Sequence, residues 1–171
     1  MLRIRKTVQV LRMDTERYVT KFSLKSIAIA YLSSTGFRLV VLIRISSLFY
    51  SSKYWPVLNH FFQVRMLRYG AEIAPSAQLG PGLKIIHTIG IVIGGGVVVG
   101  ANATILHGVT IGERRVSNNS DGKYPNVGDR VIIGNSSTIL GNIEIGNDVK
   151  IASNSIILNN VQDNTIIKGI H

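Results

Sequence analysis

From Ile73 onward the chain can be written out in sixes, and no other feature restricts its fold so tightly. Every sixth position reads Ile73, Leu79, Ile85, Ile91, Val97, Ala103, Val109 and then, after 18 residues, Val127, Ile133, Ile139, Ile145, Ile151 and Ile157. Gly often follows the aliphatic residue, as in Leu79-Gly80, Val127-Gly128, Ile133-Gly134 and Ile145-Gly146. Four residues after it comes another small or apolar residue, among them Ala77, Ala101, Ser137, Val149, Ser155 and Val161. A helix would repeat near 3.6 and a half-buried strand near 2. A fixed short period is the mark of a solenoid. Three hexapeptides per turn give a triangular coil of short parallel strands, stacked at about 4.8 Å, with one aliphatic per side in a continuous core. The expectation is a parallel β-helix with a short α-helical cap before it: a helical region over 1–70, and a solenoid over 71–171 with an excursion at 113–126.

Composition narrows the chemistry. With no Cys among its 171 residues, the chain has no disulfide, no thiolate nucleophile and no Cys-ligated metal. His60, His87, His107 and His171 show no metal-ligand spacing, so no metal site is expected. The net charge of +10 is unevenly placed: 1–72 carry twelve Lys/Arg against three acids, and 73–171 carry seven against six. A basic half suits nucleic acid, a membrane surface or an anionic ligand. No nucleic-acid-binding motif accompanies it, so no nucleic-acid partner is expected. Met1-Leu2-Arg3-Ile4-Arg5-Lys6 opens with charge, but no apolar stretch of secretory-signal length follows. The most apolar segment, Leu39–Ile43, is five residues long between Arg38 and Arg44, against the roughly 20 needed to span a bilayer. A cytoplasmic protein is expected.

Residues 1–22 read as a weak helix or a loose arm. From Leu24 to Arg68 the pattern is helical, with Phe37, Val40, Val41, Arg44, Ile45 and Leu48 recurring at three and four. Two or three helices are expected, broken near Ser33–Gly36 and Ser51–Pro56, with Tyr54, Trp55, Phe61, Phe62, Met66 and Leu67 forming their apolar faces. These helices either cap the open end of the solenoid or also present a basic amphipathic surface to the inner face of the cytoplasmic membrane. The polar excursion Glu113–Asn126 interrupts the scaffold, which is where function tends to lie; the alternative is a plain surface loop.

Three segments resemble the serine acetyltransferases: Ile85-Ile86-His87-Thr88-Ile89-Gly90-Ile91-Val92-Ile93-Gly94, Ile105-Leu106-His107-Gly108-Val109-Thr110-Ile111-Gly112 and Ile139-Leu140-Gly141-Asn142-Ile143-Glu144-Ile145-Gly146. The resemblance covers about 36 to 167. It implies the left-handed parallel β-helix of the hexapeptide-repeat acyltransferases, acetyl-CoA as donor, and a homotrimer or dimer of trimers. It also implies His87 as the general base. Histidine suits that work, since its ordinary pKa of about 6.5 lies near working pH. The family's partnering carboxylate falls on Glu72, whose alternative is a solvated residue at the start of the solenoid. His107 is either structural or part of the acceptor or CoA groove. For CoA the matching positions are Gly112, Asn135, Ser136, Lys150 and Ser153, with Arg114, Arg115 and Lys168 as further cations for the phosphates.

The departures concern the acceptor. Serine acetyltransferases place an Asp before the catalytic His for the substrate ammonium, and here that residue is Ile86. Where the family has Arg-His before Pro, this chain has Lys123-Tyr124 before Pro125, and Lys lacks the bidentate fork of Arg. Loss of the ammonium partner removes roughly a few kcal/mol of recognition. Ile86 and Tyr124 suit an apolar or sugar-ring face. The pattern also resembles the colanic-acid and capsule acetyltransferases, so a sugar hydroxyl in surface polysaccharide synthesis is the expected acceptor. Serine is the alternative, and a non-catalytic β-helix scaffold is a further one.

Overall fold

A computed structural model describes residues 2–50, 52–114 and 124–171. Four helices come first: α1 (Leu2–Glu16), α2 (Leu24–Ser33), α3 (Thr35–Phe49) and α4 (Trp55–Leu67). Side-chain chemistry sets their ends. Ser23 and Ser26 form a capping box at the start of α2, and Ser34 caps α3 by accepting from Phe37 N. Pro56 stands in the first turn of α4, where its missing N–H costs nothing. The breaks near Ser33–Gly36 and Ser51–Pro56 thus fall where the sequence placed them. Of the two readings of the first segment, a weak helix or a loose arm, the helix is the one observed, 15 residues long.

The first coil of the body carries β1 (Ala71–Ile73), β2 (Gln78–Leu79) and β3 (Lys84–Ile86). The second carries β4 (Ile91–Ile93), β5 (Val98–Val99) and β6 (Thr104–Leu106). The third carries β7 (Thr110–Gly112), β8 (Asn126–Val127) and β9 (Ile132–Ile133), and the fourth β10 (Thr138–Leu140), β11 (Glu144–Ile145) and β12 (Lys150–Ile151). β13 (Ile156–Ile157) and β14 (Ile166–Ile167) close the described body. All pairings are parallel, and they build three faces: β1-β4-β7-β10-β13, β2-β5-β8-β11 and β3-β6-β9-β12-β14. This is the left-handed parallel β-helix with N-terminal helices.

Pairing corrects the uninterrupted frame of six. Ala71 faces Ile91, Gln78 faces Val98 and Lys84 faces Thr104, so the first coil is 20 residues long. Val92 faces Thr110, an 18-residue coil. Val98 faces Asn126, a step of 28 that contains the excursion. Thr138 faces Ile156, again 18. The frame therefore slips by two at the corner between β3 and β4 and slips back across the excursion. The sequence concealed this because each side of the coil buries two residues, not one. Ile91 and Ile93, or Val97 and Val99, both point inward, so a frame displaced by two still lands on core.

The helices seal the open end of the first coil. Gly36 is pressed so closely on β3 that a Cβ there would lie 2.0 Å from the Ile85 carbonyl oxygen. Beside this contact lies a buried ion pair, Arg44 Nε donating to Asp14 Oδ2 at 2.8 Å. Arg44 also donates to the Leu79 and Gly80 carbonyls, and Leu83 N donates to Asp14 Oδ1. The Tyr18 hydroxyl accepts from Ile85 N at 2.7 Å and donates to Ile85 O. These side chains satisfy strand-edge groups that no further coil pairs, which answers the edge problem of any solenoid. Burial pushes the Tyr18 phenol well above its ordinary pKa. The apolar faces expected on α4 are only half right: Phe62 and Met66 are buried, whereas Tyr54, Phe61 and Leu67 are exposed.

Candidate active site

The two extra residues of the first coil form the corner His87-Thr88-Ile89-Gly90, between the third face and the first. The corner is pinned from below: the Thr88 hydroxyl donates to Tyr69 O at 2.7 Å and Gly90 N donates to Gly70 O at 2.7 Å. From the next coil, Gly108 N donates to Ile89 O at 2.8 Å. His87 is exposed and left-handed, with φ 59, so its imidazole stands at an outward bend held by backbone bonds on both sides.

His107 occupies the same corner one coil on. The two rings meet edge to face, with centroids 5.8 Å apart. The column continues through Asn135 and Ser136 to Ser153. Ser136 N donates to His107 O, Asn154 N donates to Asn135 O, and the Ser153 hydroxyl donates to Asn135 Oδ1. Five sequence-selected residues thus share one edge of the prism: His87, His107, Asn135, Ser136 and Ser153. Glu72 lies outward on β1, opposite Val92, two residues beyond the Gly70 that anchors the His87 corner. Among the described residues the Glu72 carboxylate takes part in no ion pair.

The other selected residues lie elsewhere. Ile86 is half-buried on β3 beside Leu106 of β6. Lys150 points outward from β12, between Ile132 and Ile166. Tyr124 is laid on Gly94 and Gly96: a Cβ at either would crowd its ring, so these two glycines make its seat. Lys123 and Arg115 fall outside the described residues, and Arg114 and Lys168 are exposed.

Gly112 is unlike the other described glycines. Its φ is not positive, yet a Cβ there would meet nothing within 4 Å. The protomer itself does not need glycine at this strand end, which suits close approach by something outside the chain. Sequence reasoning missed the width of the His87 corner and the part of Tyr69 and Gly70 in holding it. The one signal was the eight-residue step from Ile85 to Ile93, hidden by Ile91.

The bacterial transferase hexapeptide family (six repeats) matches residues 124–159, and the chain belongs to the hexapeptide-repeat transferases. Within that class it is similar to serine acetyltransferases. The one from Staphylococcus epidermidis is 36% identical over 121 residues, 71% of this chain and 56% of that protein. The solved structure of Neisseria gonorrhoeae serine acetyltransferase in complex with serine superimposes with a TM-score of 0.82 at 32% identity, over 96% of this chain and 67% of that one. That of Brucella abortus serine acetyltransferase in complex with coenzyme A gives 0.83 at 30%, over 96% and 65%. The chain spans 28% to 56% of the length of the first curated relatives.

These matches correct the expected acceptor. A sugar hydroxyl of surface polysaccharide was inferred from Ile86 and Tyr124, but the relatives are serine acetyltransferases, which favours the alternative, serine. The inference failed because it weighed two side chains against a likeness that runs through nearly the whole chain. One of the two, Tyr124, is half-buried with its ring against Gly94 and Gly96.

Proposed function

We propose that this chain transfers the acetyl group of acetyl-CoA to the hydroxyl of serine. The observation that carries the reading is His87, held outward on a widened corner in a fold shared with a serine-bound acetyltransferase. His87 takes the hydroxyl proton as the serine oxygen attacks the thioester carbonyl. The C–O bond forms, the tetrahedral intermediate collapses with loss of the C–S bond, and His87 returns the proton to the departing CoA sulfur. Glu72, flanking the same corner, orients the imidazole and stabilises its protonated form. Acetyl-CoA runs along the edge past Asn135, Ser136 and Ser153, with the open side of Gly112 free for close approach. Support for this donor comes from the coenzyme-A-bound relative.

Three copies assemble about the solenoid. Outward aliphatic residues support this: Ile89, Val92, Ile132 and Ile166 are 74%, 40%, 40% and 63% exposed on the two faces that meet at the His87 edge. Ile86 gives the substrate ammonium no carboxylate from its own position, so the test is run up to millimolar serine. Purified protein is given acetyl-CoA with and without L-serine, and free CoA is followed. Strong acceleration by serine is expected. Acetyl-CoA binding without any response to serine would overturn the reading.

A further inference from the structure

We propose that the face built by α1 and α2 rests on an anionic phospholipid surface, with α2 lying in the interface plane. Between these helices runs an apolar groove of about 930 Å³, lined by Val8, Leu11, Phe22, Leu24, Ile27 and Tyr31, with Arg5 and Arg12 at its wall. Inward, α2 buries Ala30. Outward it shows Leu24 at 87%, Leu32 at 76% and Ile29 at 54% exposure, and its one charge is Lys25. An apolar helix face this open belongs against another surface, and no described residue covers the outer face of α2.

Charge selects the occupant. From Arg17 to Ala71 the chain has eight Lys/Arg and no acid. The two acids of α1 are both engaged, Asp14 by Arg44 and Glu16 by Arg12. A second copy of this face would bring the same positive field against itself, whereas anionic headgroups complement it. Lys21 and Lys25 are exposed at the start of α2, placed to meet headgroups while Leu24 and Leu32 enter the acyl boundary. No single described helix is long and apolar enough to cross a membrane; α2 and α3 pass that test only together, and they are bent by 108° at their break. The face that α3 would have to give to lipid is already buried on the solenoid through Gly36, Leu39, Val40 and Ile43.

The full chain is sedimented with vesicles of phosphatidylcholine alone and of phosphatidylcholine mixed with phosphatidylglycerol. Partition into the anionic vesicles should exceed that into the neutral ones by roughly tenfold, and should fall in 1 M salt, where the screening length is about 3 Å. The double variant Leu24→Asp/Leu32→Asp should lose binding with unchanged circular dichroism and thermal midpoint. Lys21→Glu/Lys25→Glu, which leaves every apolar contact in place, should lose it too. Equal partition into both vesicles would overturn the proposal, as would a Leu double variant that binds like wild type. A Leu variant that changes the oligomer mass but not vesicle binding would make the face a contact between copies, and would overturn it equally.

Discussion

His87 has a left-handed backbone and an exposed side chain, as Arg130, Ser136 and Asn154 have at other corners, but it alone among them carries an imidazole. Comparable corners of the solenoid place Gly108, Ser136 and Asn154 in this conformation. A bulky side chain held there, on a corner that is two residues longer than the others, is the local irregularity that catalytic positions tend to show. Replacement of the exposed ring should leave the fold intact. His87→Ala is therefore expected to slow serine-dependent CoA release by about 10²–10⁴-fold with an unchanged melting profile. A variant as fast as wild type would remove His87 from the mechanism. Gly112 gives the complementary residue-scale case. Because its backbone suits any residue and nothing crowds its open side, Gly112→Ala should hold or raise stability, by up to about 1 kcal/mol. Acetyl-CoA affinity should nevertheless fall, as read by calorimetric titration. A variant that binds acetyl-CoA normally would return Gly112 to the scaffold.

The helices show what a repeat cannot do for itself. Interior coils pair on both sides, but the first coil leaves backbone groups of β2, β3 and the turn between them open, and α1, the turn after it and α3 close them with Asp14, Tyr18 and Arg44. Removing one partner of the buried pair strands the other charge. Arg44→Ala should destabilise by about 3–5 kcal/mol, measured by denaturant unfolding. Tyr18 makes the same element sensitive to alkali. Its phenol is pushed up by burial, so folding favours the protonated form. That contribution is complete below the ordinary tyrosine value of about 10 and is lost as pH rises beyond it toward the folded-state value. Urea midpoints of wild type should accordingly fall more steeply above pH about 10 than those of Tyr18→Phe. Parallel profiles would show that the hydroxyl does not titrate against folding. Arg44 was legible as a member of the helical stripe in α3, but its partner was not, because Asp14 lies 30 residues earlier, in a segment read only as a weak helix or a loose arm.

At the scale of the molecule, the edge that bears His87 runs between two faces with outward aliphatic side chains, and a threefold assembly would cover them. Light scattering of the purified chain should give three times the mass of one chain, or six. A monomer that still turns over acetyl-CoA with serine would show that one protomer holds the whole site. The sequence by itself determined the solenoid, its three-sided coil and the helical segments ahead of it, but not the shared edge of His87 and His107, which fall at different places in an unbroken frame of six. A short repeat is local information: every coil makes the same contacts with its neighbours, so a period of six is written into each stretch of the chain. Tertiary structure alone decided the register, the wide corner at His87 and the sealed end. A two-residue slip leaves the inward parity of a strand unchanged and so leaves no mark on the hydrophobic pattern. The seal is made by contacts 30 to 69 residues apart, between Asp14, Tyr18 and Arg44 and the backbone of β2, β3 and the turn between them, and no local pattern encodes such pairs.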